Sequence, residues 1–415
     1  MLKVLATSWA LLLGMLFLMV GNGMQGSLLG IRGTGAGFTT YEISYVMSAY
    51  FLGFLLGSQL APGMIRKVGH VRVFAALGSI ISAVLVLYPV MQDWIAWSLM
   101  RALIGFSFAG VYITAESWLN NSATNETRGQ AMSAYMIVQM IGIISSQALL
   151  NLPDPTGFFL FILPSVLVSL SFLPLLLAAT TVPVFDTIKP LSFGQLFRIS
   201  PLGCMGMLLT GSIFSAMFGM AAVWGAQKGY SVQQITIFVG ALYVGGLVFQ
   251  YPIGWASDRM DRRKLILAVS AFGAVAMLLS FAAEMPFPLY VVSAVLLGGM
   301  INPLYSLLIA YSNDFLTKEQ MPAASAGLIF LNGLGAIGGP VVAGWLMGQI
   351  GPEAFFLFLA ILFAALALYA AWRMTRRAAP SAGAGYAAVV PSASPVAVDA
   401  VLDRASERAA ERSPG

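Results

Sequence analysis

Twelve stretches of this chain are long and apolar enough to cross a lipid bilayer, and that repetition constrains the fold more than any other feature. A spanning helix needs about 20 mostly apolar residues. Such runs fall at roughly 5–30, 42–65, 71–91, 94–119, 129–150, 157–181, 202–226, 232–256, 264–283, 286–312, 322–349 and 353–373. The connections at 92–93 and 284–285 are so short that the helices flanking them must be antiparallel hairpins. The first run has the flanks of a signal peptide from Val4 to Val20. It continues, flecked with polar residues, to Leu29, and it is read as an uncleaved first helix.

Charge agrees with the runs. Only 9% of the 415 residues are charged and 59% are hydrophobic, whereas a soluble domain carries about 25% charged residues. The chain is therefore an integral membrane protein. Its net charge of +5 does not point to nucleic acid, because the basic residues sit at helix ends on one side of the membrane. With the N-terminus inside, eighteen Lys and Arg residues face the cytoplasm and only Arg32 and Lys228 lie outside. That bias sets the orientation, with both termini in the cytoplasm of a bacterium and a multi-pass path through its inner membrane.

The longest internal loop, Val182 to Pro201, divides the spans six and six. The expected organisation is an N-terminal six-helix half (1–181), a cytoplasmic linker (182–201), a C-terminal half (202–373) and a tail (374–415). The tail is rich in Ala, Ser and Pro and has no core-forming pattern, so it is expected to be a disordered cytoplasmic segment.

Two charges fall inside the hydrocarbon, Arg101 and Glu116, both on the fourth span. Buried membrane charges are costly and usually face a cavity or a partner. Fifteen residues of helix separate them by about 22 Å along the axis and about 60° around it. They cannot pair with each other, so each needs a partner on another helix. Arg101 reads either as a coupling residue or as a structural arginine that snorkels or bonds carbonyls. Glu116 reads either as a proton carrier or as a latch to a cytoplasmic arginine such as Arg66, Arg72 or Arg128.

Uncharged polar residues fall near the membrane midplane: Asn22, Gln25, Tyr135, Gln139, Tyr243, Asn302, Tyr305 and Asn332. Each is either a cavity-lining candidate or a source of interhelical hydrogen bonds, worth about 0.6 kcal/mol on average. His70, in a basic cluster between the second and third spans, reads as a surface loop residue. Small-xxx-small pairs at Gly53/Gly57 and Gly335/Gly339 read as close helix crossings.

Several chemistries are excluded. One cysteine, Cys204, allows neither an internal disulfide framework nor a cysteine-cluster metal site. There is no G-x-x-x-x-G-K-[ST], H-E-x-x-H or G-x-S-x-G stretch, so neither ATP nor a hydrolase elbow is expected. We expect no enzyme and no cofactor.

An internal repeat is visible. PGMIRKVGHVR (62–72) aligns with GWASDRMDRRK (254–264) at an offset of 192 residues. Two six-helix halves related in this way follow the logic of secondary transporters. Here the residues resemble the major facilitator superfamily. Gly254, Asp258, Arg259, Arg262 and Arg263 are similar to its G-x-x-x-D-R-x-G-R-R loop, with Asp261 replacing the second Gly. Arg101 and Gly105 resemble the fourth-helix R-x-x-x-G element, and Gly335 to Gly344 the Gly/Pro-rich eleventh helix. The stretch RALIGFSFAGVYITAESWLNNSATNETRGQAMSAY is most similar to the bacterial YcaD-type branch. The resemblance spans about residues 5–373.

Two departures stand out: Arg66 replaces the usual loop Asp of the first half, and the fifth span lacks the G-P-x-x-G-G run of many drug antiporters. The resemblance implies an all-α membrane protein, with twelve transmembrane helices in two pseudo-symmetric six-helix bundles. It implies a secondary transporter working by alternating access, with a small-molecule substrate, protons as coupling ion and lipid as surroundings, acting as a monomer. Asp258 is then a latch against the start of the fifth helix near Arg128. Arg66 lacks such a role unless Asp314 or Glu319 answers it. Export of an amphipathic compound and uptake of a metabolite both stay open, as does a non-transporting sensor or scaffold that keeps the fold.

Overall fold

The computed structural model describes residues 2–122, 128–154, 157–174, 192–317 and 320–376, and beyond these residues 386, 388–389, 394, 397–398 and 401. The side chains of 2–7, 121–122 and 128–129 lie outside the description. All regular structure among the described residues is helical. Thirteen helices follow in order: α1 Leu2–Gly35, α2 Thr40–Val68, α3 His70–Leu87, α4 Trp94–Ser122, α5 Arg128–Leu149, α6 Phe159–Ser171, α7 Phe193–Ile199, α8 Pro201–Gln227, α9 Val232–Ser257, α10 Arg262–Ala282, α11 Phe287–Asn313, α12 Met321–Ile350 and α13 Ala354–Arg376.

Eleven of them are long and apolar enough to cross a membrane. The run expected at 157–181 supplies the shorter apolar helix α6, of 13 residues, and residues 175–181 of that run lie outside the described residues. The third span also ends early. α3 stops at Leu87, because Pro89 opens a turn and the Asp93 carboxylate accepts the Ala96 N–H at the start of α4.

Local chemistry sets the other ends. Thr39 and Glu42 form a reciprocal capping box at α2, satisfying two of the orphan N–H groups of the first turn. Asp261 caps α10 by accepting the Arg263 N–H. Gly69 ends α2 with φ 87°, a conformation that glycine adopts without a Cβ penalty. The chain therefore turns directly from α2 into α3. His70 becomes the first residue of α3 and is buried, with Nε2 2.8 Å from Ser117 Oγ. The surface role expected for it does not hold, because the turn leaves no loop to carry it.

The chain forms two compact units. One contains residues 1–187 with 218–239, the other 188–217 with 240–415. Residues 218–239 belong with the first unit because the ends of α8 and α9 pack there. Gln227 donates to Thr40 Oγ1 at 2.6 Å, and Asn151 donates to Thr236 Oγ1 at 3.0 Å.

Each unit is built on a crossing that only glycine allows. A Cβ on Gly53 of α2 would lie 1.9 Å from the Ala102 carbonyl oxygen of α4, and one on Gly105 of α4 1.9 Å from that of Tyr50. In the second unit a Cβ on Gly245 of α9 would lie 2.0 Å from Val295 O of α11, and one on Gly298 1.8 Å from Leu242 O. Positions 53 and 245 differ by the same 192 residues as the loop repeat. Backbones this close gain dispersion and weak Cα–H···O contacts that replace the missing hydrophobic drive in lipid. Gly335 and Gly339 hold α12 against α8 in the same way: added Cβ atoms would lie 1.9 Å from Leu208 O and 2.3 Å from Ser212 O.

The described residues past α13 are largely packed. Val389, Ser394, Ala397 and Val398 are buried, and residues 397–398 and 401 are helical. Composition favours disorder here. The apolar side chains at 389, 397 and 398 are what the second unit buries.

Candidate functional site

The crossing of α2 and α4 leaves Arg101 facing α1 inside the first unit. The Arg101 side chain is buried, with 7% exposure, so it does not snorkel. Its Nη1 donates to Gln25 Oε1 at 2.6 Å. Gln25 Nε2 donates to Asn22 Oδ1 at 2.9 Å, and Asn22 Nδ2 donates to the Tyr112 hydroxyl at 2.9 Å. The Tyr112 hydroxyl in turn points at Met19 Sδ, 3.4 Å away. Every donor in this chain points away from the guanidinium, so the cation fixes the direction of each amide. The Tyr50 ring lies under the guanidinium, with its centroid 4.7 Å from Cζ. Gly26 leaves space beside Nη2.

The charge is nevertheless incompletely answered. Among the described residues no carboxylate lies within salt-bridge distance of Arg101, and its buried Nε has no hydrogen-bond partner. A neutral amide and an aromatic face compensate a buried cation less well than a carboxylate does. The arrangement can therefore accept a further acceptor or anion.

Glu116, on the same helix, is fully buried and is met from α5 by the Tyr135 hydroxyl, which donates to Oε1 at 3.2 Å. Gln139, one turn along α5, is buried, and its amide nitrogen has no partner among the described residues. The two membrane charges are thus served by different helices, α1 and α5.

The other midplane residues are not gathered in this way. Asn302 spends its amide on Gly298 O of its own helix, 3.1 Å away. Asn332 donates to Met207 O at 3.1 Å and so clips α12 to α8. Tyr305 is buried, and Tyr243 is half-buried.

The first unit also holds a cavity of about 690 Å³ where α1 meets the α5–α6 turn. Leu28, Trp97, Phe161 and Val232 line it, and the Arg32–Asp154 pair, 2.5 Å apart, forms its polar rim. Asp154 also accepts the Phe159 N–H at 2.9 Å.

In the second unit the G-x-x-x-D-R loop connects α9 to α10. Arg262 is buried and bonds Ser257 Oγ at 3.1 Å, Ala310 O at 3.3 Å, and the Asp314 carboxylate. It ties the loop to the end of α11 through Asp314. Arg259 lies over Trp255, 4.2 Å from the ring centroid, and donates to the Trp255 carbonyl. Asp258 accepts the Tyr386 backbone N–H at 3.0 Å. Arg66 is exposed near the end of α2. The Arg128 side chain and Glu319 lie outside the described residues.

The family model for the Major Facilitator Superfamily matches residues 11–246 and 202–404. The chain belongs to the major facilitator superfamily. Within that superfamily it is 26% identical over 358 residues to the uncharacterized MFS-type transporter YcaD of Salmonella heidelberg (strain SL476). That alignment covers 84% of this chain and 91% of the relative. The relative of the same name from Salmonella agona (strain SL483) matches equally. Among solved structures, the nucleoside transporter NupG (D323A mutant) superposes with a TM-score of 0.75 at 16% identity, covering 88% of this chain and 98% of that one. A D-xylose-proton symporter superposes at 0.70 with 13% identity, covering 88% and 96%. These two likenesses establish a major facilitator fold.

Several residues of this facilitator's polar core escape a reading of its sequence. Tyr50 of α2 meets the Arg101 guanidinium from another helix, and Tyr112, on the same helix as Arg101, closes the chain by accepting from Asn22 of α1; no motif signals either. Gln250, part-way along α9, has a legible cue in being an amide inside an apolar run.

Proposed function

We propose that the chain is a secondary active transporter that moves a small molecule by alternating access, coupled to protons. The observation that carries this reading is the directed chain Arg101–Gln25–Asn22–Tyr112 beneath a buried guanidinium with a vacant donor. A scaffold would gain nothing from so costly a charge. A substrate acceptor arriving at Arg101 Nε would complete its hydrogen bonding and could compete with Gln25 for Nη1. Amides do not relay protons readily, so the proton is assigned to Glu116, held by Tyr135. Gln139, with its unpartnered amide, is the substrate contact proposed on α5.

The full architecture is twelve spans in two halves, with both termini cytoplasmic, in the inner membrane and as a monomer. The eleven long helices, the repeat at 192 residues and the clustering of Lys and Arg support it. The loop residues Gly254, Asp258, Arg259 and Arg262, with Arg66 of the corresponding first-half loop and Arg128 at the start of α5, form the proposed gate.

The test is a ligand-stabilisation screen of purified protein against metabolites and amphipathic compounds. A ligand at 100 times its Kd stabilises the folded state by about 2.7 kcal/mol. A hit whose stabilisation disappears in Arg101→Met, and whose uptake or efflux in proteoliposomes follows an imposed proton gradient, supports the reading. Gradient-independent movement without counterflow would overturn it.

A further inference from the structure

The segment beyond α13 meets the second unit at the very residues of its signature loop. Tyr386 gives its backbone N–H to Asp258 Oδ1 at 3.0 Å and accepts Gln250 Nε2 on its hydroxyl at 2.9 Å. Its ring fills the space over Gly254, where a Cβ would come within 2.6 Å of the ring carbon Cε1. Three residues on, Val389 pairs with Ser306 of α11 in both directions. The Ser306 hydroxyl donates to Val389 O at 3.0 Å, and the Val389 N–H returns to the same oxygen at 2.9 Å. One side chain thus imitates a step of strand pairing. Gln250 also reaches Ser306 Oγ at 3.2 Å, so α9 and α11 present one connected polar wall to this segment.

We propose that the stretch carrying Tyr386 and Val389 is an internal plug of the second half. It occupies the polar wall formed by Gln250 and Ser306 and holds Asp258, and it must withdraw before these groups can serve anything else. Its described contacts suit a displaceable occupant. Its polar contacts are one phenol, two backbone N–H groups and one carbonyl, all meeting neutral or singly charged partners, with no ion pair of its own among the described residues. A segment tethered through the end of α13 sees its site at an effective concentration in the mM range. Weak contacts of this kind hold when joined to the chain and yield when pulled.

The experiment needs no substrate, so its failure is distinct from failure of the transport reading. Purified protein in detergent, in a Cys204→Ser background, carries Ser306→Cys and is labelled with N-ethylmaleimide. The comparison is the same chain ended after Arg377. Ser306 is 1% exposed, and we expect labelling to rise about tenfold when the segment is removed. Equal rates would overturn the proposal.

A second variant keeps the full chain. Val389→Cys is expected to label slowly, and adding Gly254→Leu, which expels the Tyr386 ring, is expected to speed it about tenfold. Fast labelling of Val389→Cys before that change, at the rate of denatured protein, would also overturn the proposal. Unchanged thermal midpoints across the set exclude unfolding as the cause.

Discussion

Arg101 brings a full charge among apolar helices and meets no carboxylate among the described residues. Its position was legible because a lone cation in an apolar run is conspicuous. Gln25 and Asn22 were legible as polar residues at similar depth. That they would bond to Arg101 was not, since helix rotation and crossing decide it. Removing the acceptor while keeping a buried charge typically costs about 3–5 kcal/mol, whereas replacing the whole polar pair by apolar residues is often neutral or stabilising. We therefore predict that Gln25→Leu destabilises by about 3 kcal/mol. Arg101→Met combined with Gln25→Leu should recover most of that loss, read as a double-mutant cycle of denaturation midpoints in detergent. Recovery of stability with loss of ligand binding would separate the two roles of the arginine. Glu116→Gln is predicted to abolish gradient-driven movement while leaving substrate exchange, and Tyr135→Phe to weaken the gradient-driven step alone. Unchanged gradient-driven movement in Glu116→Gln would remove this residue from coupling.

At the scale of elements, glycine decides which helices touch. The 192-residue repeat was visible as a loop motif, and the structure finds it again as paired crossings at Gly53/Gly105 and Gly245/Gly298. Overpacking costs typically 1–3 kcal/mol, and these carbonyls are backbone atoms that cannot swing aside. Gly53→Ala and Gly245→Ala are each predicted to lower stability by about 3 kcal/mol or more. Gly240→Ala, with nothing within 4 Å of its new Cβ, should be near neutral. Thermal midpoints of the purified variants check both.

The start of α10 gives a pH prediction. The Arg263 side chain, hydrogen-bonded to Asp261 2.7 Å away, holds the Asp261 carboxyl below its usual range, aided by the Arg263 backbone N–H. A depressed carboxyl contributes stability above its unfolded pKa, about 3.9, and loses it as pH falls through the lower folded value. Stability of the native chain should thus fall more steeply below about pH 4 than that of Asp261→Asn, measured by denaturation at successive pH values. The extra length of α1 and the early end of α3 were not legible, because hydropathy marks the bilayer and not where hydrogen bonding stops.

For the molecule as a whole, the proposed topology is open to direct test. Reporter fusions at Lys189 and Arg377 are expected to read cytoplasmic, and one at Asp154 periplasmic. An outside reading at Lys189 would break the six-plus-six arrangement. Eleven of the expected spans, found again as long apolar helices among the described residues, were within reach of the sequence because bilayer thickness acts on any chain alike. The contacts of Tyr386 and Val389 were not, since a few valines and a tyrosine do not raise a segment's mean apolarity. The rim of the first unit's cavity carries a different consequence. Asp154 is almost wholly buried while its partner Arg32 is about one-third exposed, so only one end of the pair is bathed by ions. At 1 M salt the screening length shrinks to about 3 Å, against about 30 Å at 0.01 M. Ionic strength will therefore reach the arginine and pass over the carboxylate. Compounds entering past this rim should show a salt dependence set by their own charge, anions losing the most in brine and neutral molecules almost nothing.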